Sequence, residues 1–204
     1  YAAMYGLYSI GGAEVMRVGH YEKYLNLFKY VQNIGQARGL MDIGGIRYVI
    51  LSYPVDHKEF RMVKKDSVKD RDVYLYEYRG YPGRYLFFTK ARYVADDTRA
   101  ALRMIDQASD FTRELIISDA AADITEETGA SRGAVRLVSY GPNKVVLDSE
   151  SDGKGFVYVS DTYYPGWRAY VDGRETKIYR ANLAFRAVKV PEGRHTVVFT
   201  YVPT

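Results

Sequence analysis

A change of hydrophobic period near residue 130 constrains this chain more than any other feature. Beyond that point the residues of one face recur at every second position: Val135, Leu137 and Ser139; Val145 and Leu147; Phe156 and Tyr158; Ala169 and Val171; Thr176 and Ile178; Phe185 and Ala187; Thr196, Val198 and Thr200. Such alternation is the mark of strands that bury one face. The runs are separated by Gly141-Pro142-Asn143, Asp152-Gly153, Tyr164-Pro165-Gly166, Asp172-Gly173 and Pro191-Glu192-Gly193. These residues preset φ or tolerate a positive one, so each is a turn, and Asp152-Gly153 and Asp172-Gly173 read as hairpins. Seven short strands at this spacing predict an antiparallel β-sandwich, jelly-roll or immunoglobulin-like, over residues 130–204.

Before residue 130 the pattern is mixed. Tyr21, Tyr24, Leu25, Phe28 and Val31 fall on one helical face. Packing on a sheet and lying on a lipid surface both suit that face, and the first is the commoner use of such a helix. A second short helix over Gln36–Asp42 ends before Gly44-Gly45, and Ile46–Ser52 follows as a buried strand. The charged run Asp56–Asp72 reads as a loop or hairpin. Val73–Tyr78 and Arg84–Val94 read as two strands joined by the turn Gly80-Tyr81-Pro82-Gly83. A helix capped by Asp96 or Asp97, with Ala101, Leu102, Ile105 and Ala108 on its apolar side, precedes a strand at Glu114–Ser118. The expected class is α+β: a mixed α/β subdomain over 1–129 and the sandwich over 130–204, divided in the small polar stretch that ends at Gly133.

Composition removes several kinds of function. None of the 204 residues is cysteine, so disulfides, thiolate metal sites and thiol catalysis are excluded. The three histidines, His20, His57 and His195, are far apart and lack metal-ligand spacing. Asp148-Ser149-Glu150-Ser151-Asp152-Gly153 starts like a calcium loop, but its twelfth position is Val159 where a bidentate Glu is required. No metal or cofactor is therefore expected. The net charge of +4 arises beyond residue 130 and is spread along alternating strands, too thin for nucleic acid. Gly11-Gly12 and Gly44-Gly45 are isolated pairs that mark turns. Tyrosine, at 21 residues, is the unusual count.

No stretch approaches the roughly 18 apolar residues of a membrane-spanning helix. The chain opens Tyr1-Ala2-Ala3-Met4 and stops at Tyr201-Val202-Pro203-Thr204 straight after a strand-like run, which suggests a piece of something longer. Val159-Ser160-Asp161-Thr162-Tyr163-Tyr164-Pro165-Gly166-Trp167-Arg168-Ala169-Tyr170-Val171-Asp172-Gly173, then Ile178–Asn182, Phe185–Val188 and Val190–Val197, resemble the C-terminal region of YfhO-type bacterial membrane proteins. Gly44–Ile50, Val73–Glu77 and Arg84–Phe88 are similar to earlier strands of that family, the last two to a pair. The family often has Leu-Pro-Arg where this chain has Pro82-Gly83-Arg84. The resemblance implies a polytopic parent similar to GT-C glycosyltransferases, which transfer sugars from polyprenyl-phosphate carriers. It also implies that this chain is the soluble portion on the extracytoplasmic face of the bacterial cytoplasmic membrane. Its partners would be its own transmembrane region and a glycan or polyprenyl-phosphate sugar. The family's catalytic carboxylate lies near the first membrane helices, so no catalytic residue is expected here.

Asp161, Tyr163, Tyr164, Trp167, Tyr179, Arg180 and Asn182 form the candidate glycan-binding set, since aromatic faces suit sugar C–H groups and polar tips suit hydroxyls. The same rings could instead fill the core of a small sandwich, with Asp161 fixing the turn. A structural or assembly module that docks on the membrane part or on a partner protein is the rival function. A glycosidase would need paired carboxylates, with Asp161 and Asp172 or Glu175 the best available, about 5–10 Å apart.

Overall fold

The computed structural model describes residues 19–98, 100–101, 114–118, 125–127 and 132–203. Gly11-Gly12, the body of the helix expected around Leu102–Ala108 and most of the 119–132 stretch lie outside these residues. Helix α1 (Gly19–Leu27) runs into a 3-10 turn (Phe28–Tyr30) and is followed by α2 (Ile34–Gly44). The strands are β1 (Tyr48–Leu51), β2 (Phe60–Val68), β3 (Arg71–Tyr78), β4 (Tyr85–Phe88), β5 (Lys90–Tyr93), β6 (Leu115–Ile117), β7 (Thr125–Glu127) and β8 (Gly133–Gly141). After them come β9 (Lys144–Ser151), β10 (Gly155–Thr162), β11 (Trp167–Val171), β12 (Arg174–Thr176), β13 (Tyr179–Ala181), β14 (Phe185–Val190) and β15 (Gly193–Tyr201). The protein is mostly β with a few helices, consistent with the α+β expectation.

Three sheets form, ordered β1-β3-β2, β4-β10-β14-β13-β6-β5-β7 and β12-β11-β15-β9-β8. Pairing is antiparallel except for β5 with β6. Residues 130–204 thus supply eight described strands where seven were expected, five in one sheet and three in another. The second sheet is completed by β4, β5, β6 and β7. It therefore draws on both sides of the expected division at residue 129. Two turns also differ from expectation. Asp152-Gly153 is not a hairpin, because β9 and β10 belong to different sheets and the turn carries the chain between them. Gly80–Gly83 likewise moves the chain from the first sheet to the second, so β3 and β4 do not pair. The Lys69-Asp70 and Asp172-Gly173 hairpins do form, with positive φ at both central residues as a type I′ turn requires.

Strands β10 and β14 lie at the centre and are buried on both faces. Phe156, Tyr158, Phe185 and Ala187 point to a core shared with Tyr24, Leu27, Leu40 and Ile43 of the helices. Val157, Val159, Val188 and Val190 point the other way, onto Val145, Leu147, Val197 and Phe199 of the five-stranded sheet. The result is three layers: helices, seven strands, five strands. Close approach at one corner requires glycine, since a Cβ on Gly155 would lie 2.6 Å from the Phe88 carbonyl oxygen. Helix α1 spends its apolar face on the sheet, with Tyr24 edge-on to Phe185 at 4.8 Å.

Part of the tyrosine excess serves the end of α2, whose last carbonyls have no partners within the helix. The Tyr24 hydroxyl donates to Leu40 O and the Tyr158 hydroxyl to Ile43 O, each at 2.7 Å. Ile46 N–H takes Met41 O at 2.9 Å and Gly45 N–H takes Asp42 O at 3.2 Å. Burial pushes both hydroxyls well above the usual tyrosine value, which keeps them protonated as donors.

Candidate functional site

The period-two rule places Asp161 in phase with Val157 and Val159, and Arg186 in phase with Val188 and Val190. Both side chains therefore enter the space between the two large sheets. A bulge delivers Asp161. The pairing of β10 with β14 shifts between Val159, opposite Arg186, and Thr162, opposite Phe185. Such an irregularity re-aims the side chains it contains. Ser160 N–H donates to Arg84 O at 3.0 Å, which fixes Arg84 beside the bulge. Gly45, the left-handed cap of α2, seals the far side. A Cβ there would lie 2.6 Å from Ser160 Oγ and 2.8 Å from Arg84 Cγ.

The result is a charged well. Arg84 Nη2 donates to Asp161 Oδ1, and Arg186 Nη2 donates to Asp161 Oδ2 at 2.9 Å. Side-chain exposure falls from 17% at Arg84 through 12% at Asp161 to 2% at Arg186. The Arg186 guanidinium lies over the Trp167 ring at 4.0 Å and near Phe199 at 5.2 Å. Arg84 lies over Tyr85 and Tyr140 at 5.8 and 5.4 Å. Tyr201 packs against Trp167 at 5.5 Å and Tyr164 at 6.3 Å, so a run of three aromatic rings ends on the Arg186 guanidinium. Burial pulls Arg186 below the ordinary arginine value, against the opposing pull of Asp161. For Arg84 burial acts the same way, but Asp161 and the neighbouring tyrosines outweigh it and raise the group.

Of the residues expected from sequence, Asp161 and Trp167 both meet Arg186, and Tyr164 reaches Trp167 only through Tyr201. Tyr164 is exposed and Trp167 half-buried. The others lie elsewhere. Tyr163 faces α1: its carbonyl accepts from His20 Nε2 at 2.6 Å, and burial pulls His20 below its ordinary value against that bond. Tyr179 meets Phe156 edge-on at 5.9 Å. Arg180 bonds Asp97 at 2.6 Å and the carbonyls of Ser118 and Leu183 at 3.0 and 3.1 Å. Asn182 is fully buried with a positive φ, and its Oδ1 accepts from Ile116 N–H at 3.0 Å, which ties β6 to the turn before β14.

Arg84 and Arg186 lie outside the set expected from sequence; the interior phase of Arg186 in Phe185–Val190 marks it as buried but not as a partner of Asp161. Asp172, considered with Glu175 as a second carboxylate for hydrolysis, lies in the turn between β11 and β12. It is occupied there, accepting from His195 Nδ1 at 2.6 Å and Thr196 N–H at 2.9 Å. Asp148–Ser151, the calcium-like segment, is extended strand paired to both β8 and β15.

Among the described residues no helix is long and apolar enough to cross a membrane. Residues 126–204 match the family model described as Bacterial membrane protein YfhO. The segments Val159–Gly173 and Val190–Val197 fall within that match, together with Asp161, Trp167 and Arg186; Arg84 precedes it. No curated protein and no solved structure matches the chain.

Proposed function

We propose, from the premise that residues 126–204 are those of a YfhO-type bacterial membrane protein, that this chain is the extracytoplasmic portion of such a protein and holds a glycan or polyprenyl-linked sugar during envelope glycosylation. Chemistry on that sugar belongs to the membrane part in this reading. The observation that supports it is a run of three rings, Tyr164, Tyr201 and Trp167, that ends on the Arg186 guanidinium bound to Asp161, a composition suited to sugar rings and hydroxyls. Asp161 is a poor candidate for a catalytic base because each of its oxygens already accepts from an arginine. Titration of the chain with envelope glycans, followed by NMR, should shift Trp167 and Tyr164 first. No shift with any of them removes the binding role.

A second reading, a docking module for the membrane part or a partner protein, is favoured by a different surface. Ile50 is 71% exposed on the outward face of the first sheet, and Tyr48, Met62, Val63 and Val68 are exposed on the same small sheet. A docking role predicts that Ile50→Lys lowers the abundance of the full-length protein. Under the glycan reading, Tyr164→Ala lowers activity at normal abundance.

A further inference from the structure

We infer that the outward face of the first sheet rests on the surface of a lipid bilayer that carries anionic headgroups. The inference rests on the docking reading and names the partner of that surface. Register defines the face. Phe60, Tyr76 and Tyr78 point inward to a core with Ala37 and Met41 of α2. The alternate residues of β3, from Arg71 through Val73 and Leu75 to Glu77, therefore point outward with their neighbours on β1 and β2. One row holds Tyr48, Glu77 and Arg61, the next Ile50, Leu75 and Lys64, then Val73 with Asp66, and the last Arg71 with Val68. Apolar and charged side chains thus share every row. The centre of a protein–protein interface is depleted of charge. The headgroup layer of a membrane instead takes apolar tips and long cationic side chains side by side, with stems at the hydrocarbon boundary and charges among the phosphates. The charge balance of the face favours an anionic surface. Arg47, Arg61 and Lys64 engage its two carboxylates, Glu77 and Asp66. Arg71 has no ion pair among the described residues, so four cations stand against two carboxylates. The turn residues Lys69 and Asp70 cancel, as do Lys65 and Asp72 on the other face. Tyr48, with Arg47 over its ring at 5.3 Å, has the apolar body and polar tip of an interfacial residue. Helix α1, the other amphipathic element suited to a lipid surface, is unavailable because its apolar face packs on the second sheet. Residues 126–204 match a family of bacterial membrane proteins, so a bilayer is at hand.

The test uses the 204-residue chain and two sets of vesicles, phosphatidylglycerol mixed equally with phosphatidylethanolamine, and phosphatidylcholine alone. Binding is read by co-sedimentation and by broadening of the Ile50 methyl resonances. The expected result is binding to the first set and little to the second. Arg71→Gln should weaken it about fivefold at low salt, the worth of one basic residue near an anionic surface, and the difference should fade as salt rises. Ile50→Ser should weaken it about tenfold at every salt concentration, because it removes apolar burial. Both side chains are exposed in the free chain, so neither substitution threatens the fold. Equal binding to both sets, or binding that neither substitution weakens, would overturn the inference. No binding to either set, with Ile50→Lys still lowering the abundance of the full-length protein, would overturn it while leaving docking on a protein standing. No binding and no loss of abundance would end the docking reading as well.

Discussion

Two carboxylates in this protein each sit between two arginines, and their surroundings differ. Glu77, on β3, takes Arg47, the residue before β1, at 2.8 Å and Arg61 from β2, with the arginine side chains 54% and 57% exposed. Asp161 takes Arg84 and Arg186 within the layer between two sheets. In the first case Glu77 is only 13% exposed, but both arginines reach across a solvent-facing sheet surface and keep water as an alternative partner. In the second the fold has removed the alternatives. Stability and chemistry therefore attach to the second triad, while the first is a cross-strand surface network of small individual worth.

Asp161→Asn should have the largest effect. It leaves two enclosed guanidinium groups without a counter-ion, and breaking a buried pair in this way costs about 3–5 kcal/mol, measurable by urea unfolding. Trp167→Ala comes next, because it removes the ring under Arg186 and half-buried apolar area, about 3 kcal/mol. Gly45→Ala forces a side chain into a left-handed position against Ser160 and Arg84 of the buried triad, at about 1–2 kcal/mol for the backbone alone. It should shift the Trp167 and Arg186 resonances, with those of Arg47 and Arg61 unmoved. Glu77→Gln should leave the melting temperature unchanged at physiological salt, because exposed pairs are screened.

The His195–Asp172 pair on the turn edge gives a finer contrast. Its bond to Asp172 raises His195, and the bond to His195 together with Thr196 N–H lowers Asp172. A raised histidine stabilises the fold below its unfolded value of about 6.5 and loses that contribution as pH climbs through its folded value. A lowered carboxylate contributes above its unfolded value of about 3.9 and loses the contribution as pH falls through its folded value. The pair is thus most favourable between those limits. Asp172→Asn should return the His195 titration toward 6.5 by NMR with little change in stability, since Asp172 is exposed.

Sequence periodicity revealed most of the strands but not which sheet they would join. Alternation fixes which residues share a face; it does not report that β4 would come from before residue 130 to pair with β10 through Tyr85–Phe88. The short strands β5, β6 and β13 have three or four residues each, too few for a period. Asp161, Tyr164 and Trp167 could be picked out because carboxylate and aromatic residues gather within seven positions. Their partners could not, because Arg84 and Arg186 lie 77 and 25 residues from Asp161 in the chain. Tyr163 and Asn182 matched the chemistry and served the fold instead, one through its carbonyl to His20 and the other through backbone bonds to Ile116. A short-range pattern identifies the type of group; only the register of the central sheet decides which groups meet.

The most direct test of the binding account is an NMR titration of the chain with purified envelope glycans, monitoring the Trp167 indole N–H together with the methyl groups of Ile50. The account expects saturable shifts at Trp167, spreading to Tyr164 and Arg186, with Ile50 unmoved. Shifts confined to the Ile50 face, or a Trp167 signal that no glycan moves, would contradict it.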